Sequence, residues 1–219
     1  MPLFKTINHN QSTQILVWSI TESVTDLLIG NPLKPESQNR LATMKSAMHQ
    51  CAFLAVRKML LHLQISDHDL HYDATGKPTL SSGKYISISH SHAFATVVIS
   101  NQAVGIDIEL QREKIIDIAN KFSVEPLNST NKTNYIKKLT VIWGAKEAIF
   151  KIKNQKGISF KDHIFVKPFQ TYQNQTEAIV QFNQKTELYL IYYYEIDNYM
   201  LVYALADQTQ APFTDNQPR

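Results

Sequence analysis

The stretch Val104-Gly105-Ile106-Asp107-Ile108-Glu109-Leu110 decides how this chain is read. Successive side chains of a strand point to opposite faces. Ile106 and Ile108 therefore share an inward face, and Asp107 and Glu109 share the other. Two carboxylates one pleat apart repel each other unless something positive lies between them. A hard divalent cation resolves the repulsion, and magnesium, which takes oxygen ligands at about 2.0–2.1 Å, keeps waters and substrate phosphates in its shell. Taken by itself, the pattern equally describes an exposed strand with two solvated acids.

Upstream, residues 13–20 alternate as a strand, and residues 21–28 form a short helix opened by Thr21. Prolines 32 and 35 break the pattern. Residues 36–63 read as one long helix, because Leu41, Met44, Met48, Cys51, Ala55, Met59 and Leu63 recur at helical steps. A turn at 73–78 leads to strands at 85–89 and 95–100. Downstream, helices are expected at 115–122 and 133–153, with a polar loop at 123–132. An antiparallel meander follows at 164–168, 178–182, 188–196 and 199–206. Each half thus offers a long helix and several antiparallel strands, an α+β plan. The expected division is 1–102 for an N-terminal α+β subdomain and 103–206 for a C-terminal one carrying the acidic strand. A polar tail follows at 207–219.

Composition narrows the function. Hydrophobic residues make up 43% and charged residues 19%, which suits a folded globular chain. The N-terminus lacks a continuous apolar signal segment, and no apolar run reaches bilayer length. The single cysteine, Cys51, reads as a small buried hydrophobe. A cytoplasmic protein is expected. The net charge of +3 and the absence of a basic stripe interleaved with aromatics argue against nucleic acid, and no membrane partner is expected.

Three further motifs bear chemistry. In Trp143-Gly144-Ala145-Lys146-Glu147-Ala148-Ile149-Phe150-Lys151, Trp143, Glu147 and Lys151 fall on one helical side at steps of four, with Lys146 one step round. An ordinary surface Glu–Lys pair would share that spacing. In Ile86-Ser87-Ile88-Ser89-His90-Ser91-His92, Ser87 and Ser89 share a polar face, and His90 stands at the strand end. Hydroxyls and an imidazole there can donate to phosphate oxygens. Gly76-Lys77-Pro78 places a lysine at a turn.

Together and in this order, these motifs resemble the phosphopantetheinyl transferase superfamily, in particular its Sfp-type branch of single chains with two similar halves. The resembling span is 76–151. The resemblance implies a magnesium site at Asp107, Glu109 and Glu147 that grips the diphosphate of coenzyme A. Glu147 would also take the proton from a serine of an acyl or peptidyl carrier protein. Lys151 would steady the transferring phosphate and protonate the departing adenosine 3',5'-bisphosphate. Ser89 and His90 would touch phosphates, and Lys77 with Pro78 would lie at the nucleotide end. Lys146 joins the coenzyme A set, as do Arg40 and Lys45 as loose candidates for the 3'-phosphate. Lys132, Lys137 and Lys138 would meet the acidic carrier. A monomer is expected.

Phe122-Ser123-Val124-Glu125 is one residue short of a segment common in the family, so Glu125 receives no ligand role. Gly144 stands where Ser, Thr or Cys is more usual. Arg57 serves either coenzyme or structure. Two other functions stay open on the residues alone: a coenzyme A- or nucleotide-binding module without turnover, and a metal-dependent phosphohydrolase.

Overall fold

The computed structural model describes residues 3–123 and 131–207. In chain order the elements are β1 (Leu3–Asn10), β2 (Thr13–Ser19), α1 (Val24–Leu28), α2 (Pro35–Thr43) and α3 (Ala47–His62). Next come β3 (Leu70–Tyr72), β4 (Pro78–Leu80), β5 (Tyr85–Ser91), β6 (Phe94–Ser100), β7 (Val104–Leu110) and α4 (Lys114–Ile118). The last are α5 (Lys132–Lys153), β8 (Ile164–Val166), β9 (Gln175–Phe182), β10 (Lys185–Ile196) and β11 (Tyr199–Ala206). The fold is α+β. One antiparallel sheet runs β1-β2-β6-β5, another runs β7-β11-β10-β9-β8, and β3 pairs with β4 in a small hairpin.

Strand alternation builds the layers. In β2, Leu16 and Trp18 face the core under α3, while Ile15 and Val17 face the second sheet. In β11, Met200, Val202 and Ala204 face α5, while Leu201, Tyr203 and Leu205 face the first sheet. Both strands are buried on two sides, which explains the continuous apolar runs Ile15–Trp18 and Tyr199–Ala206. The order across the molecule is α3, first sheet, second sheet, α5. Asp107 and Glu109 alternate with Ile106 and Ile108, so they point toward the α5 side.

Gly105 fixes how close α5 comes. A Cβ there would lie 1.9 Å from the Ala148 backbone oxygen, inside any possible contact. Only glycine lets the helix rest directly on β7.

Several expected elements differ. The long helix at 36–63 is two helices. The chain leaves the helical region at Met44 and restarts where the Ser46 hydroxyl accepts from the His49 N–H. The first short helix is capped by Ser23 rather than Thr21, with Asp26 completing a reciprocal capping box. The helix expected at 115–122 stops at Ile118 and ends in a 3-10 turn over Ala119–Lys121. Strand β1 and the β3–β4 hairpin were not anticipated. The first is a largely exposed edge strand, and the second has three residues per strand, so neither carries a strong apolar signal. Glu125 and residues 208–219 of the expected tail lie outside the described residues. Among the described residues, no helix is long and apolar enough to cross a membrane.

Gly105→Ala should destabilise the fold by about 3 kcal/mol, as overpacking against rigid backbone does. Urea denaturation of the purified variant would measure the loss.

Candidate active site

Asp107 is the centre of the site. It is 4% exposed. Its Oδ1 accepts from the Ser89 hydroxyl at 2.8 Å and from Lys151 Nζ at 2.9 Å. Lys151 also donates to the Ile106 carbonyl at 2.8 Å, so α5 is pinned to β7 by one ammonium. Asp107 Oδ2 is buried with no hydrogen-bond partner. It faces α5 at Gly144, where a Cβ would lie 3.7 Å away. A lone buried carboxylate oxygen is unfavourable unless a donor or a cation reaches it.

Two more carboxylates feel that charge. Burial pushes Glu109 up to about 7, Asp107 adds to the rise, and the Ser91 hydroxyl, Arg112 and Lys151 oppose it. Glu147 is raised by burial and then by Asp107, with Lys151 opposing. Among the described residues, no three histidine, cysteine, aspartate or glutamate side chains form a closed metal-binding group. The three carboxylates thus interact through Asp107 without already making a ligand shell. An orphaned buried oxygen flanked by two acids that resist ionisation is still a donor set suited to a hard divalent cation.

A cleft of about 480 Å³ borders this centre. Arg40, His49, Tyr72, Lys77, His90 and Lys151 line it, together with Pro78. The Arg40 guanidinium lies 4.5 Å from the Tyr72 ring centroid. The His49 and His90 rings stand 5.7 Å apart. Burial, then His49 and Lys151, lower the His90 pKa against the pull of Asp107, which favours the neutral imidazole. Lys77 reaches across the cleft mouth to the Ile152 carbonyl at 2.7 Å, and Asn154 Nδ2 donates to Thr75 Oγ1 at 2.5 Å. The β3–β4 turn is thereby fastened to the C-terminal end of α5.

The structure separates the residues expected at the coenzyme. Arg40, Lys77, Pro78, His90 and Lys151 share the cleft. Lys45 does not line it and lies exposed between α2 and α3. Lys146 does not line it either. It is 4% exposed, and its ammonium donates to the Phe160 and Ile164 carbonyls at 2.5 Å each. Spacing placed Lys146 beside Glu147, but one helical step turns it into the core, where burial lowers its pKa to about 8. Ser89 is also redirected, because its hydroxyl accepts from Ile108 N–H at 3.3 Å while donating to Asp107. Arg57 borders the cleft while its Nε donates to buried Asp67 at 3.0 Å. Lys132 pairs with Glu113 and Lys137 with Glu195, both at 2.7 Å, and Lys138 lies 5.7 Å from the Phe169 ring centroid.

Sequence reasoning did not single out His49 or Ser91. Nothing in its surroundings marks His49. Ser91 carried a signal: Ser87, Ser89 and Ser91 alternate on one face of β5.

The profile of the 4'-phosphopantetheinyl transferase superfamily matches residues 103–204, which contain the three carboxylates and Lys151. The chain is also 30% identical over 183 residues to the 4'-phosphopantetheinyl transferase gsp of Aneurinibacillus migulanus, covering 79% of this chain and 75% of that protein. The chain belongs to the 4'-phosphopantetheinyl transferase superfamily. It is a transferase that moves a phosphopantetheinyl group. The family match falls on the half that supplies the carboxylates, while the gsp alignment is long enough to take in part of the half that supplies most of the cleft wall.

Two outcomes follow for this transferase. Glutamate ordinarily titrates near 4.5, and Glu109 in the folded state near 7. Between those values the folded protein keeps a proton that the unfolded chain has lost, so this contribution to stability disappears as pH rises through about 7. Thermal denaturation in chelator should show the midpoint falling over that interval, with a shallower fall in Glu109→Gln. Lys146→Met should lower stability by roughly 2–3 kcal/mol by removing a charged donor from two buried carbonyls. The transfer rate per folded molecule should stay within about twofold, because the change lies in the core and away from the cleft.

Proposed function

We propose that the chain transfers the 4'-phosphopantetheine of coenzyme A to a serine of an acyl or peptidyl carrier protein in a magnesium-dependent reaction, releasing adenosine 3',5'-bisphosphate. The observation that carries this reading is the unpartnered Asp107 oxygen beside two glutamates whose pKa values burial and Asp107 raise, at the border of a cleft lined by Arg40, Lys77, His90 and Lys151. Asp107, Glu109 and Glu147 would hold Mg2+, which when bound would draw charge from the diphosphate oxygens.

The remaining chemistry belongs to side chains. Glu147, made more basic by burial and by Asp107, takes the serine proton as the hydroxyl oxygen attacks the phosphorus that carries pantetheine. A new serine O–P bond forms, and the bond from that phosphorus to the bridging diphosphate oxygen breaks. The electron pair leaves with adenosine 3',5'-bisphosphate, and Lys151 steadies and can protonate the departing oxygen. Arg40 and Lys77 bind anionic groups at the nucleotide end, and neutral His90 donates a hydrogen bond to a phosphate oxygen. Ser89 acts on the coenzyme through Asp107.

Lys132, Lys137 and Lys138 would face the acidic carrier. Exposed ion pairs such as Lys132–Glu113 are worth only about 0–1 kcal/mol, so trading them for contacts with a partner is inexpensive. We place the enzyme in the cytoplasm as a monomer, with residues 1–102 and 103–206 as its two halves.

Purified protein with Mg2+ and coenzyme A should add one phosphopantetheine to an apo carrier protein, read as a mass shift. Glu147→Gln should slow transfer roughly 100- to 10,000-fold, and Asp107→Ala at least comparably, with unchanged circular dichroism. An active Asp107→Ala variant would refute the metal assignment.

A further inference from the structure

Strands β5 and β7 are the facing edges of the two large sheets, and they meet through serine side chains. Ser87 Oγ accepts from Ile106 N–H at 3.1 Å, and Ser89 Oγ accepts from Ile108 N–H at 3.3 Å. Contacts advance in the same order along both strands, so the two edges run in the same direction. Ser89 then donates to Asp107, and Ser91 donates to Glu109 Oε2 at 3.2 Å. All three serines are buried. Ser89 bonds both the β7 backbone and Asp107, and a buried hydroxyl so held fixes the position of its carboxylate.

The alternate residues of β5, Ile86, Ile88 and His90, line the cleft. Ser87 also borders the cleft, while the hydroxyls of Ser89 and Ser91, further along the same strand, hold carboxylates. Ser91 is the last rung, and its hydroxyl opposes the rise of the Glu109 pKa.

We propose that Ser91 is a positioning residue that aims Glu109, and that Ser87, Ser89 and Ser91 form a ladder holding the carboxylate strand at a fixed register against the cleft strand. The inference rests on the magnesium-dependent reading above. Ser91 touches no substrate and acts through Glu109. Hydrogen bonds that orient a ligating carboxylate set its affinity for a cation, and their removal weakens binding roughly 10- to 100-fold. Removal should leave the nucleotide contacts of Arg40 and Lys77 untouched.

Ser91→Ala and Ser91→Thr would be compared with wild type by titrating Mn2+ into the protein in the presence of coenzyme A, with calorimetric readout. Steady-state transfer would be followed in parallel as a function of Mg2+ and of coenzyme A. The expected result is weaker Mn2+ binding in Ser91→Ala by about tenfold or more. The Mg2+ concentration for half-maximal rate should rise in step, with the KM for coenzyme A within about twofold, and Ser91→Thr, which keeps the hydroxyl, should restore Mn2+ binding. Circular dichroism and the coenzyme A KM report whether Ser91→Ala is folded, and Ser91→Cys supplies a second hydroxyl-free variant with the same expectation. Wild-type metal binding with an unaffected Ser91→Ala overturns this proposal alone. Loss that Ser91→Thr does not restore also overturns it. A wild-type protein that binds no Mn2+ and transfers nothing overturns the underlying reading together with the proposal.

Discussion

A carboxylate lies inside this protein, and the neighbourhood is built around keeping it there. Asp107 is held by an ammonium from α5 and a hydroxyl from β5, so three elements meet at one oxygen. Burying a charge is costly unless it is paired and hydrogen-bonded. Here pairing satisfies one oxygen and leaves the other bare. Burial makes Glu109 and Glu147 reluctant to ionise, and the charge of Asp107 adds to that reluctance.

The backbone makes that arrangement possible. Gly105 lets the Ala148 carbonyl rest against β7, which brings Glu147 and Lys151 of the next helical turn over the acidic face. One turn earlier, Gly144 lets the helix close on β11, where a Cβ would meet the Val202 side chain at 2.8 Å. Two glycines therefore set the spacing between helix and strand. At the far end of α5, Lys77 and Thr75 tie the β3–β4 turn to the Ile152 carbonyl and to Asn154. The cleft wall and the carboxylate platform thus share one rigid support.

Much of this was legible in the residues. Val104–Leu110 and Tyr199–Ala206 were read with the bounds they have, because strands buried on both sides carry strong signals. Face and spacing single out Asp107, Glu109, Glu147 and Lys151, while their roles come from the family resemblance. Lys146 was misassigned for the same reason, since helical spacing gives an angle but not what fills the space at that angle. The break at Met44–Ser46 escaped because the apolar stripe continues in register across it. The polar face of Ser87 and Ser89 was recognised, but its partner was not. Which strand edge receives a row of hydroxyls depends on how two sheets meet, and that information is not local.

The first sheet ends at Ser100 and the second begins at Val104, so three residues join the parts of the chain that face each other across the cleft. Arg40, His49 and His90 come from before that connector, and Phe150, Lys151 and Asn154 from after it. Covalent attachment makes their encounter first-order and gives them a high effective concentration for one another. Dilution cannot pull such a site apart, and its assembly owes nothing to the abundance of the protein.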